Sequence, residues 1–251
     1  MPESRFIDRA ALITHHWLWQ AVDLLFPPAC IHCKKTGERW CPECRALIER
    51  VGDKICIHCG KRLMKGTICR DCRGHKPRYT ALRSYGLYRD PLRQAIVSAK
   101  YRRDLGLGEI LAGLLKTLVT EQNWQPELVI PVPMGPAKLN ERGYNQVDLF
   151  ARPLAWSMEL PYHERVLARV REDTSQVKLT AESRRLNVAR AFTVEWPGPI
   201  RNRQVLLVDD VATTGSTVDV CASALLEAGA AQVFVATLAR SLLRKSNQEV
   251  V

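Results

Sequence analysis

The chain has 251 residues, of which 46% are hydrophobic, so it can bury a domain core with a smaller module beside it. This composition excludes a chain that is disordered as a whole. The formal net charge of +11 lies entirely in residues 1–104, which hold 21 Lys/Arg against 10 Asp/Glu, whereas residues 105–251 hold 16 of each. The basic front suits an anionic partner such as nucleic acid, and a solvated surface rich in Lys and Arg is the alternative.

The N-terminal segment, residues 1–28, is predicted to form an amphipathic helix. Its apolar run from Trp17 to Phe26 is interrupted by Asp23, is too short to span a bilayer, and lacks the small-residue cleavage site of a secretory signal. We therefore expect a cytoplasmic protein without a membrane span. In the cytoplasm, paired cysteines usually bind metal rather than form disulfides.

Eight of the nine cysteines form four Cys-x-x-Cys pairs, and their arrangement is duplicated. The Cys-Ile-His-Cys pairs at 30–33 and 56–59 are offset by 26 residues, and the pairs at 41–44 and 69–72 by 28. Two such pairs complete a tetrahedral four-sulfur zinc site with no open position, which is a structural site. The sequence thus predicts a double zinc ribbon over residues 29–78 with two structural Zn²⁺ ions.

The eight thiolates can be grouped into two four-sulfur sites in two ways. The predicted ligands are Cys30, Cys33, Cys41, Cys44, Cys56, Cys59, Cys69 and Cys72. A sequential grouping, the first four and then the last four, follows the repeat. An interleaved grouping remains the alternative, because the gap between the first two pairs is short.

After residue 78 the pattern changes to buried strands that alternate with helices. Strands are predicted at residues 79–88, 128–132, 166–170, 205–208 and 233–237. Helices are predicted from Asp90-Pro91 onward and at residues 105–119, 147–158 and 216–228. This alternation predicts an α/β fold with a parallel sheet over residues 79–251.

The stretch Val205–Thr217 predicts a ligand site at the carboxyl edge of that sheet. A buried strand leads into Asp209-Asp210, and residues 212–217 then offer backbone N–H groups, hydroxyls and a glycine at the start of a helix, which is a phosphate cradle. Nucleoside-triphosphate loops carry a Gly-Lys-Ser/Thr that is lacking here. A ribose phosphate suits both the cradle and the acids. Its phosphate can bind to the cradle, while its hydroxyls or a bound Mg²⁺ can face the acids.

This stretch resembles the phosphoribosyl-pyrophosphate (PRPP) signature of type I phosphoribosyltransferases. Other segments across residues 24–238 are similar to the ComF/GntX family, namely Phe26-Pro-Pro, the four cysteine pairs, Lys100-Tyr101, Pro131-Val-Pro133, Arg142-Gly-Tyr-Asn-Gln146, Gln176–Leu179, Arg184–Asn187 and Ala191-Phe192. The resemblance implies a zinc-ribbon front fused to a phosphoribosyltransferase-like domain. It also implies a link to DNA uptake and utilisation in bacteria.

The resemblance further implies roles for particular residues. The acids Asp209 and Asp210, as the catalytic pair, would hold the ribose hydroxyls directly or through Mg²⁺. The 5′-phosphate would bind to Ala212, Thr213, Thr214, Gly215, Ser216 and Thr217. Other contacts to PRPP would come from the pyrophosphate loop and neighbouring polar residues, namely Pro131, Val132, Pro133, Lys100, Arg142, Asn145 and Gln146. Residues 171–190 correspond to the loop that closes over the reacting centre in the enzymes.

Four of these assignments have a structural alternative. Asp209-Asp210 has the composition of an acidic cluster at a helix entry, and the arginines of residues 171–190 have the alternative role of solvating that loop. Lys100 has the position of an end-of-helix cation that the helix dipole favours. Residues 142–146 have the composition of a turn whose asparagine caps the following helix.

Two functions follow from the resemblance. In the first, an enzyme transfers phosphoribose to or from a nitrogenous base, in the salvage of nucleotides from imported DNA. In the second, a catalytically inactive adaptor binds PRPP or a nucleotide, and its basic zinc module binds single-stranded DNA, through residues such as Lys61 and Arg62, or a protein of the uptake machinery. Fold analogy does not separate the two.

Overall fold

The structure is a computed structural model that describes residues 27–170 and 191–242. Its helices are α1 (Pro42–Ala46), α2 (Arg70–Gly74), α3 (Leu92–Tyr101), α4 (Leu105–Glu121), α5 (Pro136–Arg142), α6 (Asp148–Ser157) and α7 (Ser216–Glu227). Its strands are β1 (Ala81–Leu87), β2 (Leu128–Pro131), β3 (Leu167–Arg169), β4 (Phe192–Val194), β5 (Gln204–Ala212) and β6 (Gln232–Arg240). None of the helices within these two ranges is long and apolar enough to cross a membrane. The helix predicted for residues 1–28 falls almost wholly outside them.

The core of the chain is a four-stranded sheet in the order β1-β6-β5-β2, and every neighbouring pair of strands is parallel. In the register of the central strands, Leu206 of β5 lies opposite Phe234 of β6. Residues Val205–Val208 are fully buried, because packed elements cover both faces of the sheet. The predicted parallel α/β class is confirmed.

One predicted strand, at residues 166–170, does not join this sheet. It forms β3, which pairs antiparallel with β4 in a separate two-stranded sheet. Leu167 is buried while the next two residues are partly exposed, so β3 has one covered face only. A strand of this kind suits an antiparallel pair better than a parallel sheet with both faces covered, which is why its placement in the parallel sheet was wrong.

The two faces of the four-stranded sheet carry different elements. Helices α3, α4 and α6 pack on one face, together with Cys30, Cys41 and Cys44 of the first cysteine group. Helix α7, the β3–β4 pair and the second cysteine group pack in the cluster on the other face. Helices α4 and α6 approach closely, since a Cβ atom on Gly108 would lie 2.2 Å from the carbonyl oxygen of Leu149.

Both edges of the sheet are covered by other parts of the chain. Along β1, the N–H groups of Leu82 and Leu87 donate to the carbonyl oxygens of His58 and Glu49, at 2.7 and 2.8 Å. Along β2, the segment that follows α6 hydrogen-bonds to both backbone groups of Val129. The cysteine-rich module therefore covers one edge, and the chain after α6 covers the other.

Candidate functional site

The eight paired cysteines form two compact groups. Cys30, Cys33, Cys41 and Cys44 make one group and Cys56, Cys59, Cys69 and Cys72 the other, with all sulfur atoms of a group within 4.8 Å of one another. The grouping is therefore sequential, and the interleaved alternative is wrong.

The sulfur separations fit metal ligation. The Sγ atoms of Cys30 and Cys41 lie 3.7 Å apart, as do those of Cys59 and Cys69. These separations suit four thiolates at about 2.3 Å from a tetrahedral Zn²⁺ and are far longer than a disulfide bond of about 2.05 Å. The backbone N–H groups of Cys69 and Cys72 donate to the sulfurs of Cys56 and Cys69, both at 3.4 Å. Each group is a closed four-sulfur site, as the sequence predicts.

The acid pair lies inside a strand, since β5 continues past Val208 as far as Ala212. Asp210 is buried, and its carboxylate accepts from Lys100 Nζ at 2.9 Å and from Gln146 Nε2 at 3.3 Å. The Oε1 atom of Gln146 accepts in turn from Arg142 at 3.0 Å. Four residues predicted for the ligand site are thus joined in one polar chain, although they come from three separate segments.

Asp209 has a different environment from Asp210. Its carboxylate accepts the backbone N–H of Asp210 at 2.8 Å. Although the residue as a whole is partly exposed, desolvation of its carboxyl group, together with the charge of Asp210, raises the pKa of Asp209 to about 8. At neutral pH the folded chain therefore favours the protonated form of Asp209.

The loop between β5 and α7 presents polar groups to solvent. Thr213, Thr214, Ser216 and Thr217 are exposed, whereas Gly215 is buried and has a φ of +88°. Helix α7 begins directly after this glycine, so the N–H groups of its first turn lie among the exposed hydroxyls, and the N–H of Ser216 donates to Thr214 Oγ1 at 3.3 Å. This is the arrangement of an anion-binding helix N-terminus.

The predicted pyrophosphate loop lies beside the acid pair. Pro131 pairs with Val208, the residue before Asp209, and the N–H of Val132 donates to the carbonyl oxygen of Val208 at 2.8 Å. The side chain of Asn145 holds this loop, because its Nδ2 donates to the carbonyl oxygen of Val132 at 3.0 Å. Pro131–Pro133 and the acid pair therefore share one edge of the sheet.

Asn145 also supports the structural alternative for its segment. Its Oδ1 accepts the N–H of Val147 at 3.3 Å, just before α6 begins. Gly143, with a φ of +74°, ends α5. Both residues therefore shape the turn between two helices. The predicted closing loop, residues 171–190, lies outside the described residues.

A cavity of about 1000 Å³ lies to one side of these residues, between α5, α6 and β3. It shares Pro133 and Asn145 with the predicted site, but neither acid lines it. Sequence reasoning missed this space because it missed α5, which has no buried residue and hence no apolar periodicity. Pro136 at its start and Gly143 at its end were the signals that mark it.

A parallel sheet that carries an acid pair and a hydroxyl-rich loop before a helix at its carboxyl edge, preceded by two four-cysteine sites, defines a phosphoribosyltransferase-type domain joined to a double zinc ribbon. Family models match both parts of the chain. The double zinc ribbon domain matches residues 21–73, and the phosphoribosyl transferase domain matches residues 104–250.

Curated relatives match over most of their own lengths. Competence protein F of Haemophilus influenzae is 33% identical over 229 residues, 84% of this chain and 96% of that protein. DNA utilization protein YhgH of Escherichia coli O157:H7 is 33% identical over 247 residues, 96% of this chain and 99% of that protein. Competence protein ComFC of Bacillus subtilis is 28% identical over 231 residues, 89% of each. The chain belongs to the ComF/GntX family, as its motifs predict.

Proposed function

We propose that the chain binds PRPP together with Mg²⁺ at the carboxyl edge of its sheet and acts in bacterial DNA uptake or utilisation. The observation that carries this proposal is the order of groups along one edge, where two acids are followed at once by an exposed loop of hydroxyls and helix N–H groups. An anion cradle beside two carboxylates suits a ligand that carries phosphate at one end and hydroxyls at the other. The names of the relatives support the biological setting.

Each end of PRPP has a matching set of residues. The 5′-phosphate would bind to Ala212–Thr217, and the ribose hydroxyls or Mg²⁺ would face Asp209 and Asp210. The pyrophosphate would lie against Pro131–Pro133, with Lys100 and the residues of the α5–α6 turn nearby. Asp210 and Lys100 already form an ion pair in the chain without ligand. Binding of PRPP would therefore rearrange this existing ion pair.

The enzymatic version of this function is phosphoribosyl transfer. The bond between C1′ and pyrophosphate breaks while a bond from C1′ to a nitrogen of the acceptor forms, and positive charge develops on the ribose in between. Residues of this chain would hold the ribose and the leaving pyrophosphate in place, and no protein nucleophile is required. When bound, Mg²⁺ would neutralise charge on the pyrophosphate.

Calorimetric titration with PRPP, with and without Mg²⁺, tests this proposal. We expect saturable binding of one PRPP per chain that is much tighter with Mg²⁺, and no binding in either condition would overturn it. Incubation of PRPP with a panel of bases then separates the two versions. Release of pyrophosphate with one base supports the enzyme, whereas binding without turnover supports the adaptor.

A second candidate function, binding of single-stranded DNA, is favoured by an aromatic and basic surface at the end of α3. Tyr101 is 73% exposed and is followed by the exposed residues Arg102 and Arg103. The guanidinium group of Arg142 lies 5.4 Å from the centre of the Tyr101 ring. Exposed aromatic rings among arginines are the platforms on which unpaired bases stack.

The zinc ribbon itself is less available for this role than its charge indicates. Arg62 donates to Glu49 at 3.0 Å and to the carbonyl oxygens of Val51 and Arg50. Lys61 donates to Asp71 at 3.0 Å. Two of the expected phosphate contacts are therefore engaged within the module, so the surface around Tyr101 is the better location.

We expect Tyr101→Ala to weaken binding of a single-stranded oligonucleotide about 10-fold, since stacking contributes about 1–3 kcal/mol per base. Tyr101→Phe keeps a stacking ring and should bind as the wild type does. Fluorescence anisotropy with a labelled oligo-dT at two salt concentrations measures the effect, and affinity should fall steeply with salt. Equal affinity of the alanine and phenylalanine variants, or no binding by the wild type, would exclude DNA binding at this surface.

A further inference from the structure

The second four-cysteine site lies on the buried side of the loop between β5 and α7, residues 212–217, which we call the anion-binding loop after its proposed role. Tyr79 is the residue between them. Tyr79 follows the last thiol of that site, Cys72, by seven positions and is 3% exposed. Its hydroxyl oxygen lies 3.1 Å from the position that a Cβ atom on Gly215 would take. Tyr79 therefore fills the space directly under the glycine of the loop, on the side away from solvent.

The segment between Cys72 and Tyr79 is attached to the first turn of α7. The backbone N–H of Arg78 donates to Asp219 Oδ1 at 2.6 Å, and His75 Nε2 lies 3.7 Å from Asp219 Oδ2. Asp219 belongs to the same helix N-terminus that the loop leads into. The chain that leaves the second site thus holds both the glycine and the helix start.

A second connection runs through Arg240, which is 4% exposed. Its guanidinium group donates to the carbonyl oxygen of Cys59, a thiol of the second site, at 2.8 Å. The next residue, Ser241, donates its N–H to the carbonyl oxygen of Ala212 at 2.9 Å, at the start of the loop. A buried guanidinium also needs counter-charge, which metal-bound thiolates supply and protonated thiols do not.

The contacts of the first four-cysteine site lead to a different part of the chain. His32 Nδ1 lies 3.1 Å from Gln94 Oε1 on α3, and Arg39 donates to Asp104 at 2.8 Å at the start of α4. These helices pack on the opposite face of the sheet from α7. The two sites therefore provide a matched comparison within one chain.

We propose that Tyr79 and Arg240 are positioning residues that couple metal binding at the second four-cysteine site to the geometry of the anion-binding loop. This inference rests on the proposed function for the ligand concerned, but the coupling itself is a property of the unliganded chain. Loss of metal from the second site releases Tyr79 and Arg240, and the loop then loses the support behind Gly215. Loss of metal from the first site leaves that support in place.

Two serine variants of the full chain test the coupling. Cys72→Ser removes a ligand of the second site, and Cys44→Ser is the matched change in the first. The wild type should contain two zinc ions per chain and each variant about one. Hydrogen exchange of residues 212–219 should be at least 10-fold faster in Cys72→Ser and unchanged in Cys44→Ser. Equal exchange in the two variants would overturn the coupling.

A second pair of variants leaves every thiol intact. Tyr79→Ala should keep both zinc ions yet show faster exchange in residues 212–219, because the space under Gly215 is empty. Tyr79→Phe keeps the ring but lacks the hydroxyl next to Gly215, so its exchange should fall between those of the alanine variant and the wild type. If Tyr79→Ala exchanges as slowly as the wild type, Tyr79 does not position the loop.

Titration with PRPP and Mg²⁺ separates this inference from the proposed function. Cys72→Ser should bind at least 10-fold more weakly than the wild type, and Cys44→Ser within about twofold of it. Saturating PRPP should in turn raise the affinity of one of the two zinc sites, measured by equilibrium competition with a chelator, because linkage is reciprocal. A wild type that does not bind PRPP would overturn the proposed function alone, since the exchange experiments need no ligand.

Discussion

Replacing Asp209 and Asp210 together with asparagine is expected to weaken Mg²⁺-dependent binding of PRPP at least 100-fold. Both changes keep side-chain volume and remove the two carboxyl groups that would face the hydroxyl end of the ligand in the proposed complex. The double variant should remain folded, although it loses the Asp210 ion pair with Lys100. Titration with and without Mg²⁺ measures the effect, and the circular dichroism spectrum checks the fold. Tight Mg²⁺-dependent binding by the double variant would show that the pair has another role.

The raised pKa of Asp209 gives this prediction a pH dependence. Desolvation and the charge of Asp210 place that pKa at about 8 in the folded chain, above the ordinary value of 3.8. The folded state thus holds a proton that the unfolded state releases, so stability should fall as pH rises from about 4 to 8. Affinity for PRPP with Mg²⁺ should rise over pH 6.5–8, since cation binding needs the ionised carboxylate.

The single variant Asp209→Asn separates the titration of Asp209 from the titration of the ligand. Its stability should fall less than that of the wild type between pH 5 and 8, because asparagine carries no proton to release. Denaturant unfolding at several pH values measures this difference, and titration at pH 6.5 and 8 measures the affinity. Parallel pH profiles of stability for the variant and the wild type would contradict the raised pKa.

The second large effect is expected in α4, where Gly108→Ala should lower the free energy of unfolding by about 3 kcal/mol. A Cβ atom at this position would lie 2.2 Å from the backbone oxygen of Leu149, so α4 and α6 would have to separate. The clash is with a backbone atom, which cannot move aside as the end of a flexible side chain can. Urea denaturation of the two proteins measures the loss.

Gly113 on the same helix is the matched control. A Cβ atom there meets nothing within 4 Å, and the residue is exposed. Gly113→Ala should therefore raise stability by about 0.5–1 kcal/mol, because alanine is the better helix former. Equal effects of the two substitutions would mean that helix propensity, and not the α4–α6 contact, decides the result at Gly108.

Short sequence patterns were sufficient to predict the structure where one residue type or continuous burial repeats along the chain. The spacing of the cysteine pairs predicted the metal ligands, and continuous apolar runs such as Val205–Val208 predicted strands of the parallel sheet. The same signals could not show that β5 continues to Ala212. Its last residues are held by pairing with β6, where Asp209 lies opposite Thr237. Two adjacent acids give no local indication that they belong to a strand paired with another strand.

Other features depend on residues that are distant in sequence. The partner of β3 is β4, more than 20 residues further on, and β3 alone reads as any other short apolar run. The polar chain from Lys100 through Asp210 to Gln146 forms only when α3, β5 and the α5–α6 turn come together. The family resemblance named these residues, but no pattern within any one segment shows that they touch.

The cover over β1 has a consequence for how the chain behaves as it matures. Leu82 and Leu87 give their backbone N–H groups to the cysteine-rich module, so an edge strand that would otherwise offer them to another chain is occupied. We expect that occupation to depend on metal, because a module this small has little apolar core of its own. We therefore expect chains without bound zinc to expose this edge strand, whose unpaired N–H groups can then pair with another chain.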